Sequence, residues 1–202
     1  MTTAIPPTGS ITPHGEGGEG HANHSLTGFI IFLCSESVIF LAFFSGYAVL
    51  KTSALNWLPA GVEGLEWRMP LINTIVLVSS SGTIWLAETF MARGNLWGFR
   101  ALWLLTMALG GYFLYGQAVE WSELAFGFTS GTFGGTFYLL TGFHGLHVAT
   151  GVLLMALMLI KSFLPGNYAK GEQGVQATSL FWHFVDVIWI ILFVLIYVWQ
   201  RH

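Results

Sequence analysis

The stretch that decides the fold is 133–160, FGGTFYLLTGFHGLHVATGVLLMALMLI, which contains no Asp, Glu, Lys or Arg. At about 1.5 Å per residue, a helix of this length exceeds the hydrocarbon core of a bilayer, which is about 30 Å thick. Its apolar residues are continuous and do not alternate with polar ones, as they would in a spanning β-strand. The stretch therefore predicts a transmembrane helix.

Four further apolar blocks have the same character, so the chain is predicted to cross the membrane five times. The blocks are 27–50, 70–91, 99–119, 133–160 and 179–200. Only 8% of the 202 residues are charged and 54% are apolar, whereas a soluble domain carries about 25% charged residues. We therefore predict an all-α membrane protein, a bundle of five transmembrane helices over 26–202, and exclude a soluble globule.

Residues 1–25 differ from the rest of the chain, because they are rich in Gly, Pro, Thr and His and have no apolar run. They lack the basic start and apolar core of a secretory signal, and we predict a flexible tail. With five spans, the two termini are expected on opposite sides of the membrane. A slight excess of Lys and Arg on the tail side favours a cytoplasmic amino terminus.

Charge and cysteine content exclude several partners and cofactors. The net charge is −3, and no run of Lys or Arg could neutralise a row of phosphates, so nucleic acid is not an expected partner. Cys34 is the only cysteine, which excludes an internal disulfide and a paired-cysteine metal site. We expect no metal site and no catalytic residue in this chain.

Glu36 is the outstanding polar residue of the predicted spans. It lies in FLCSESVIF, close to the middle of the first block, where an ionised carboxylate is costly. Two interpretations stay open for this carboxyl. In the first interpretation the carboxyl exchanges protons along a pathway. In the second it is a neutral acid that hydrogen-bonds across helices and fixes their packing.

The last two blocks each carry two polar residues spaced three apart. His144 and His147 share one face of the fourth predicted helix, and His183 and Asp186 share one face of the fifth. Histidine in a helix bundle can ligate a metal, relay a proton or simply pack. If the first and fifth helices touch, Glu36, His183 and Asp186 are expected to form one network.

The fourth block also carries small residues at steps of three and four, which let another backbone approach closely. They are Gly131, Gly135, Gly142, Gly145 and Ala149. The spacing predicts a tightly packed helix face. It leaves open whether the partner is a helix of this chain or of another subunit.

Five segments together resemble subunit III of the haem-copper terminal oxidases, and they occur in that family's order. They are SES around Glu36, MPLINT at 69–74, QAVEW around Glu120, TGFHGLHV at 141–148 and SLFWHFVDVIWI at 179–190. The resemblance covers about 26–201. It is closest to the cytochrome c oxidase type in its five-helix bacterial form.

The resemblance implies a non-redox accessory subunit of a proton-pumping respiratory oxidase that reduces dioxygen to water. Haem and copper are then expected in partner subunits, with subunit I as the main contact and subunit II beside it. Cytochrome c, or a quinol, is expected to donate electrons to the complex and not to this chain. The resemblance also implies bound phospholipid and a bacterial cytoplasmic membrane, or a thylakoid membrane in a cyanobacterium.

By the same resemblance, Glu36 matches the family's buried carboxyl and Glu120 matches an acid close to a loop. His144, His147, His183 and Asp186 match motif positions. The longer mitochondrial type has two more helices before these five, so the lipid cleft that they help to wall is not expected from these five helices alone. The alternatives are subunit III of a quinol oxidase and, more remotely, a nitric oxide reductase subunit, a free membrane cytochrome b or a proton-coupled transporter.

Overall fold

The computed structural model describes residues 17–59, 61–62, 64–164 and 173–199, with side chains from Leu26 onward. All regular secondary structure in these residues is helical. The helices are α1 (Gly17–Ser53), α2 (Arg68–Ala92), α3 (Leu96–Glu123), α4 (Gly131–Lys161) and α5 (Gln173–Phe193), and α5 continues into a π-helical turn, Val194–Val198. Five helices are long and apolar enough to span a membrane, which confirms the predicted all-α, five-helix architecture.

Helix α1 begins earlier than the apolar block that predicted it. It starts at Gly17, inside the segment 1–25 that the sequence predicts as a flexible tail. Pro13 is the last proline before Pro59, so no missing backbone N–H interrupts the helix in between. Residues 1–16 lie outside the described residues, and the tail stays a prediction there.

A tight turn joins α2 to α3 and makes them an antiparallel pair. Gly94 has φ +74°, a conformation that glycine adopts without steric cost, and its N–H donates to the carbonyl of Met91 at 2.8 Å. The side chain of Asn95 then caps α3 by accepting a hydrogen bond from the N–H of Gly98 at 3.0 Å. The start of α2 and the end of α3 consequently lie on the same side of the bundle.

Helix α5 is central and α1 is peripheral. Helix α5 packs against α2, α4 and α1, whereas α1 packs mainly against α5 and, less extensively, against α4. In the most apolar stretch of each helix, 50% of the α5 residues are buried but only 11% of those in α1. The exposed apolar side chains of α1 therefore face lipid or other subunits.

Close packing around α5 depends on glycines that the small-residue pattern did not single out. The indole of Trp182 is fully buried between Gly110 and Gly151, where an added Cβ would lie 2.5 and 2.7 Å from its ring atoms. Of the predicted positions, an added Cβ at Gly142 would lie 3.2 Å from Trp121. At Gly145 nothing described lies within 4 Å, so that position is open in this chain.

Candidate functional site

A polar pair joins α1 to α4 across the membrane-spanning part of the bundle. Glu36 Oε2 lies 3.2 Å from Nε2 of His147, and their side chains are 16% and 11% exposed. The other ring nitrogen of His147, Nδ1, lies 2.9 Å from the carbonyl oxygen of Phe143 one helical turn earlier. The structure therefore places the predicted intramembrane carboxyl in direct contact with one of the predicted histidines.

The partners of His147 determine where its hydrogens lie. A carbonyl oxygen only accepts hydrogen bonds, so Nδ1 of His147 carries a hydrogen. One proton then lies between Glu36 and His147, either on the carboxyl or on Nε2. The pair is neutral overall in both arrangements, which limits the cost of keeping it within the membrane. It can shift a proton between two atoms without leaving a net charge there.

Three phenyl rings surround the imidazole of His147. The rings of Phe40, Phe143 and Phe181 lie 5.1, 4.8 and 6.1 Å from it, centroid to centroid. Phe40 comes from α1, Phe143 from α4 and Phe181 from α5, so rings from three helices fix the imidazole. The geometry of the Glu36–His147 bond is thus set by core packing.

A second polar group joins α5 to α2. The hydroxyl of Ser81 donates to Oδ2 of Asp186, and Nδ1 of His183 lies 3.0 Å from the same hydroxyl oxygen. Because Ser81 has one hydroxyl hydrogen, already given to Asp186, His183 donates to Ser81. His183 and Asp186 lie on one face of α5, as their spacing of three predicts. The hydroxyl of Ser81, from α2, contacts both side chains.

Four of the predicted polar residues, Glu36, His147, His183 and Asp186, are divided between these two groups. Within the described residues, no hydrogen bond joins Glu36 to His183 or Asp186, so the expected single network is not formed by direct bonds. Helices α1 and α5 instead meet through phenyl rings, with Phe40 and Phe184 lying 6.2 Å apart. Aromatic packing occupies the contact where the sequence suggested paired acids.

His144 belongs to neither group. It is fully buried, and neither ring nitrogen has a hydrogen-bond partner among the described residues. Its ring packs against Trp189 and Phe113, with centroids 4.8 and 5.7 Å away. His144 and His147 are three residues apart in α4, yet they lie in different environments: His144 packs against aromatic rings, and His147 bonds to Glu36.

Glu120 connects the end of α3 to the carboxyl-terminal turn. Its Oε1 accepts a hydrogen bond from the hydroxyl of Tyr197 at 2.6 Å, and its Oε2 accepts one from Nε2 of Gln117 at 3.1 Å. The first bond spans 77 positions in sequence. Glu120 consequently ties two helix ends together on one side of the bundle.

Sequence reasoning missed the hydroxyl side chains of α2. Ser80 accepts a hydrogen bond from the indole of Trp182 at 2.8 Å, and Ser81 contacts Asp186 as described. Thr83 lies 2.7 Å from the hydroxyl of Thr106 on α3. The run SSSGT at 79–83 in an apolar block is the signal that could have found them, since hydroxyl groups in lipid seek partners on other helices.

The His, Cys, Asp and Glu side chains of the described residues do not form a metal-binding site. Within the described ranges, no three His, Cys, Asp or Glu side chains come together in a way that could hold one. His147 and His183 are already committed to Glu36 and Ser81. The described polar groups are arranged for hydrogen bonding between helices.

The fold and these polar groups define an integral membrane protein of the helical-bundle class, with paired polar side chains between its spans. Comparison with known proteins narrows the class. The family described as cytochrome c oxidase subunit III matches residues 16–201 of the chain. The chain is 40% identical to cytochrome c oxidase subunit 3 of Synechocystis sp. over 90% of this chain and 78% of that protein.

Two further relatives carry the same name. The protein of Thermostichus vulcanus is 40% identical over 90% of each chain. That of Scyliorhinus canicula is 38% identical over 85% of this chain and 68% of its own. The chain belongs to the cytochrome c oxidase subunit III family, and it is an accessory subunit of a terminal oxidase complex. The quinol oxidase alternative is not favoured.

Proposed function

We propose that this chain stabilises subunit I of its oxidase and sustains proton uptake during the reduction of dioxygen to water. The Glu36–His147 pair is the group that carries this proposal. It holds one proton between two helices, at 3.2 Å, in a part of the chain where few other polar groups occur. A subunit that only filled space would have no need of such a pair in α1.

The position of the pair supports contact with another subunit. Helix α1 is the least buried of the five spans, and the Glu36 side chain keeps 16% of its surface exposed. A partly exposed carboxyl at this depth is costly against lipid, but it is satisfied against a polar group of another protein. We place subunit I, with phospholipid between, on this side of α1.

We propose the remaining components of the complex by analogy with the family. In this proposal haem and copper belong to partner subunits I and II, and cytochrome c donates electrons to the complex, a donor that the names of the relatives support. The described residues of this chain include no group that could hold a metal ion, and we propose that the chain transfers no electrons. The membrane is a bacterial cytoplasmic or a thylakoid membrane, with the amino terminus in the cytoplasm and the carboxyl terminus opposite.

The test replaces Glu36 in the assembled oxidase. In Glu36→Gln the amide still donates a hydrogen bond to Nε2 of His147 but cannot pass on a carboxyl proton. We expect normal assembly and haem content, with slower proton uptake at unchanged electron input, measured in vesicles with a pH-sensitive dye. Glu88→Gln makes the same change in α2, and it is expected to leave proton uptake unchanged.

Glu36→Leu provides the second arm of the test. It removes both the proton and the hydrogen bond, so we expect slower uptake together with a chain that is more easily lost from the complex. If Glu36→Gln has the wild-type rate of proton uptake at every pH tested while Glu36→Leu is lost from the complex, the carboxyl serves packing alone. That outcome would refute the proton-uptake role.

A further inference from the structure

A cavity lies between the start of α2 and the end of α3, away from both polar groups described above. Its volume is about 300 Å³. Three carboxyl side chains, two tyrosine rings, one amide and several apolar side chains surround it, namely Glu66, Glu120, Glu123, Tyr112, Tyr115, Asn73, Leu65, Met69, Pro70, Gly116, Val119 and Leu124. No Lys, Arg or His is among these residues.

The amide of Asn73 is the unusual group in this cavity. Asn73 is 7% exposed, and its side chain has no hydrogen-bond partner among the described residues. Asn73 lines the cavity, so a group bound there can complete the hydrogen bonds of its amide. Gly116 makes room for it, because an added Cβ would lie 2.4 Å from Nδ2 of Asn73.

The carboxyl groups around the cavity determine which charge a group bound there would carry. Glu66 and Glu123 are exposed at the rim, while Glu120 is half-buried. None of the three forms an ion pair within the described part of the chain. The surroundings thus offer negative charge and an amide oxygen acceptor, which together favour a cation that donates hydrogen bonds.

The size and walls of the cavity determine the kind of cation. The described carboxyl groups do not come together closely enough to hold a metal ion. The rings of Tyr112 and Tyr115 offer faces that attract organic cations, and most of the remaining wall is apolar. The cavity lies where two spans end, at Arg68 and Glu123, which is the level of lipid headgroups.

We propose that this cavity binds an alkylammonium group, with the amide oxygen of Asn73 and the carboxylates of Glu120 and Glu123 as its acceptors. The group comes from the headgroup of an amine-bearing phospholipid or from a soluble alkylamine. The site is separate from the Glu36–His147 pair, and it does not depend on the role proposed for that pair. It also differs from the family's lipid cleft, which is walled by helices that precede α1 in longer members.

The experiment uses the whole oxidase complex and a water-soluble carbodiimide. This reagent activates a carboxyl group, an amine that lies beside it displaces the activated oxygen to form an amide, and the reagent leaves as a urea. One arm uses vesicles of phosphatidylglycerol and phosphatidylethanolamine. The other uses phosphatidylglycerol vesicles with spermidine in the buffer. Peptide mass spectrometry then locates any amine joined to Glu66, Glu120 or Glu123.

We expect an amine adduct at one of these carboxyls, and the arm that yields it identifies the source. Asn73→Leu removes the acceptor and should lower the yield about tenfold, the effect of losing one hydrogen bond to a charged group. Asn73→Asp keeps an acceptor oxygen and should retain the adduct. Glu88→Gln, at the other end of α2, is the matched control and should leave the yield unchanged.

If Asn73→Leu does not assemble, Glu123→Gln takes its place in the test. Glu123→Gln changes an exposed side chain and should lower coupling at the remaining carboxyls without disturbing packing. The proposal is overturned if neither arm gives an adduct, or if the yield is the same in the assembled variants. It is also overturned if the carboxyls couple to a lysine of another subunit, because the cavity would then be a subunit interface.

Discussion

Hydrogen bonds join α5 to α2 at three levels, whereas α1 is joined to α4 through the polar pair of Glu36 and His147. The bonds between α5 and α2 are Trp182 to Ser80, Asp186 to Ser81 and Trp189 to Thr74. Both indoles are almost completely buried. On the other side of the bundle, Glu36 and His147 form a hydrogen bond between α1 and α4, and both side chains remain partly exposed.

The difference shows how polar groups are used inside a membrane. Lipid is as apolar as a leucine side chain, so packing and hydrogen bonds hold spanning helices together. The α2–α5 interface combines both and forms the structural centre of the chain. The α1–α4 interface is smaller than the α2–α5 interface, so a change in its polar pair is expected to affect function more than stability. Substitutions at the two interfaces test this distinction.

The largest expected loss follows from Trp182→Ala in α5. The change removes a fully buried indole, leaves a cavity between Gly110 and Gly151, and deprives Ser80 of its donor. Loss of a buried Trp costs about 3–5 kcal/mol. We expect little or no chain in the purified complex, measured as the amount of this subunit per haem.

The matched control is Trp85→Ala in α2. Trp85 is 60% exposed, so its removal should cost the bundle little and leave the recovery of the chain near normal. Equal losses in the two variants would contradict the view that α5 is the structural centre. Such a result would mean that a partner subunit holds the chain more strongly than its own core does.

A smaller effect is expected when one hydrogen bond between α5 and α2 is removed. Ser81→Ala takes away the donor to Oδ2 of Asp186, whose Oδ1 already lacks a partner among the described residues. Hydrogen bonds between spanning helices contribute about 0.6 kcal/mol on average and up to about 1.7 kcal/mol. We expect a lower temperature at which the chain leaves the complex, measured by size-exclusion chromatography after heating.

Ser79→Ala is the matched control two residues earlier. The hydroxyl of Ser79 is exposed and bonds only to the carbonyl of Val76 in its own helix, at 2.7 Å. Its removal should leave the dissociation temperature unchanged. A decrease as large as that of Ser81→Ala would show that loss of any serine in this run weakens α2 itself.

The transmembrane helices could be predicted from the sequence, because a continuous apolar run as long as the bilayer is thick indicates a spanning helix whatever its neighbours are. The sequence was also sufficient to single out Glu36, since a carboxyl near the middle of a span is unusual wherever its partner lies. It did not identify His147 as that partner. The pairing depends on how α1 rotates against α4, and periodicity within one helix carries no such information.

The same reasoning explains the misplaced network. His183 and Asp186 do share a face, as a spacing of three requires, but that face meets Ser81 of α2 and not α1. The spacing of residues within one helix does not show which other helix packs against the face that they share. The hydroxyl residues of α2 are informative only once α5 is known to pack there, and the cavity beside Asn73 becomes visible only when α2 and α3 are paired.

A third prediction concerns the end of α1, where one more polar contact supplements the Glu36–His147 pair. Nζ of Lys51 donates to the carbonyl of Trp199 at 2.5 Å and lies 4.2 Å from the centre of its indole ring. Lys51→Met should loosen the carboxyl-terminal turn at a cost of about 0.5–1 kcal/mol, seen as faster amide hydrogen exchange in Val194–Val198.

Lys161→Met serves as the control for that change. Lys161 is an exposed cation in the last turn of α4. Its removal should leave exchange in the carboxyl-terminal turn unaffected. If both variants speed exchange equally, the loss of positive charge would be the cause and not the contact with Trp199. The attachment of α1 would then rest on Glu36 and aromatic packing alone.

The smallest effect is expected from Gly145→Ala, which tests whether the α1–α4 side has any tight packing of its own. Nothing described lies within 4 Å of a Cβ added at Gly145, whereas one at Gly151 would meet Trp182 at 2.7 Å. Because alanine favours a helix over glycine by up to about 1 kcal/mol, Gly145→Ala should slow amide exchange in α4 slightly, and Gly151→Ala should accelerate it. A Gly145→Ala chain that keeps this protection but leaves the complex more easily would place a partner subunit on this face. Faster exchange throughout α4 in both variants would contradict the contrast, because the two sides of the bundle would then be packed alike.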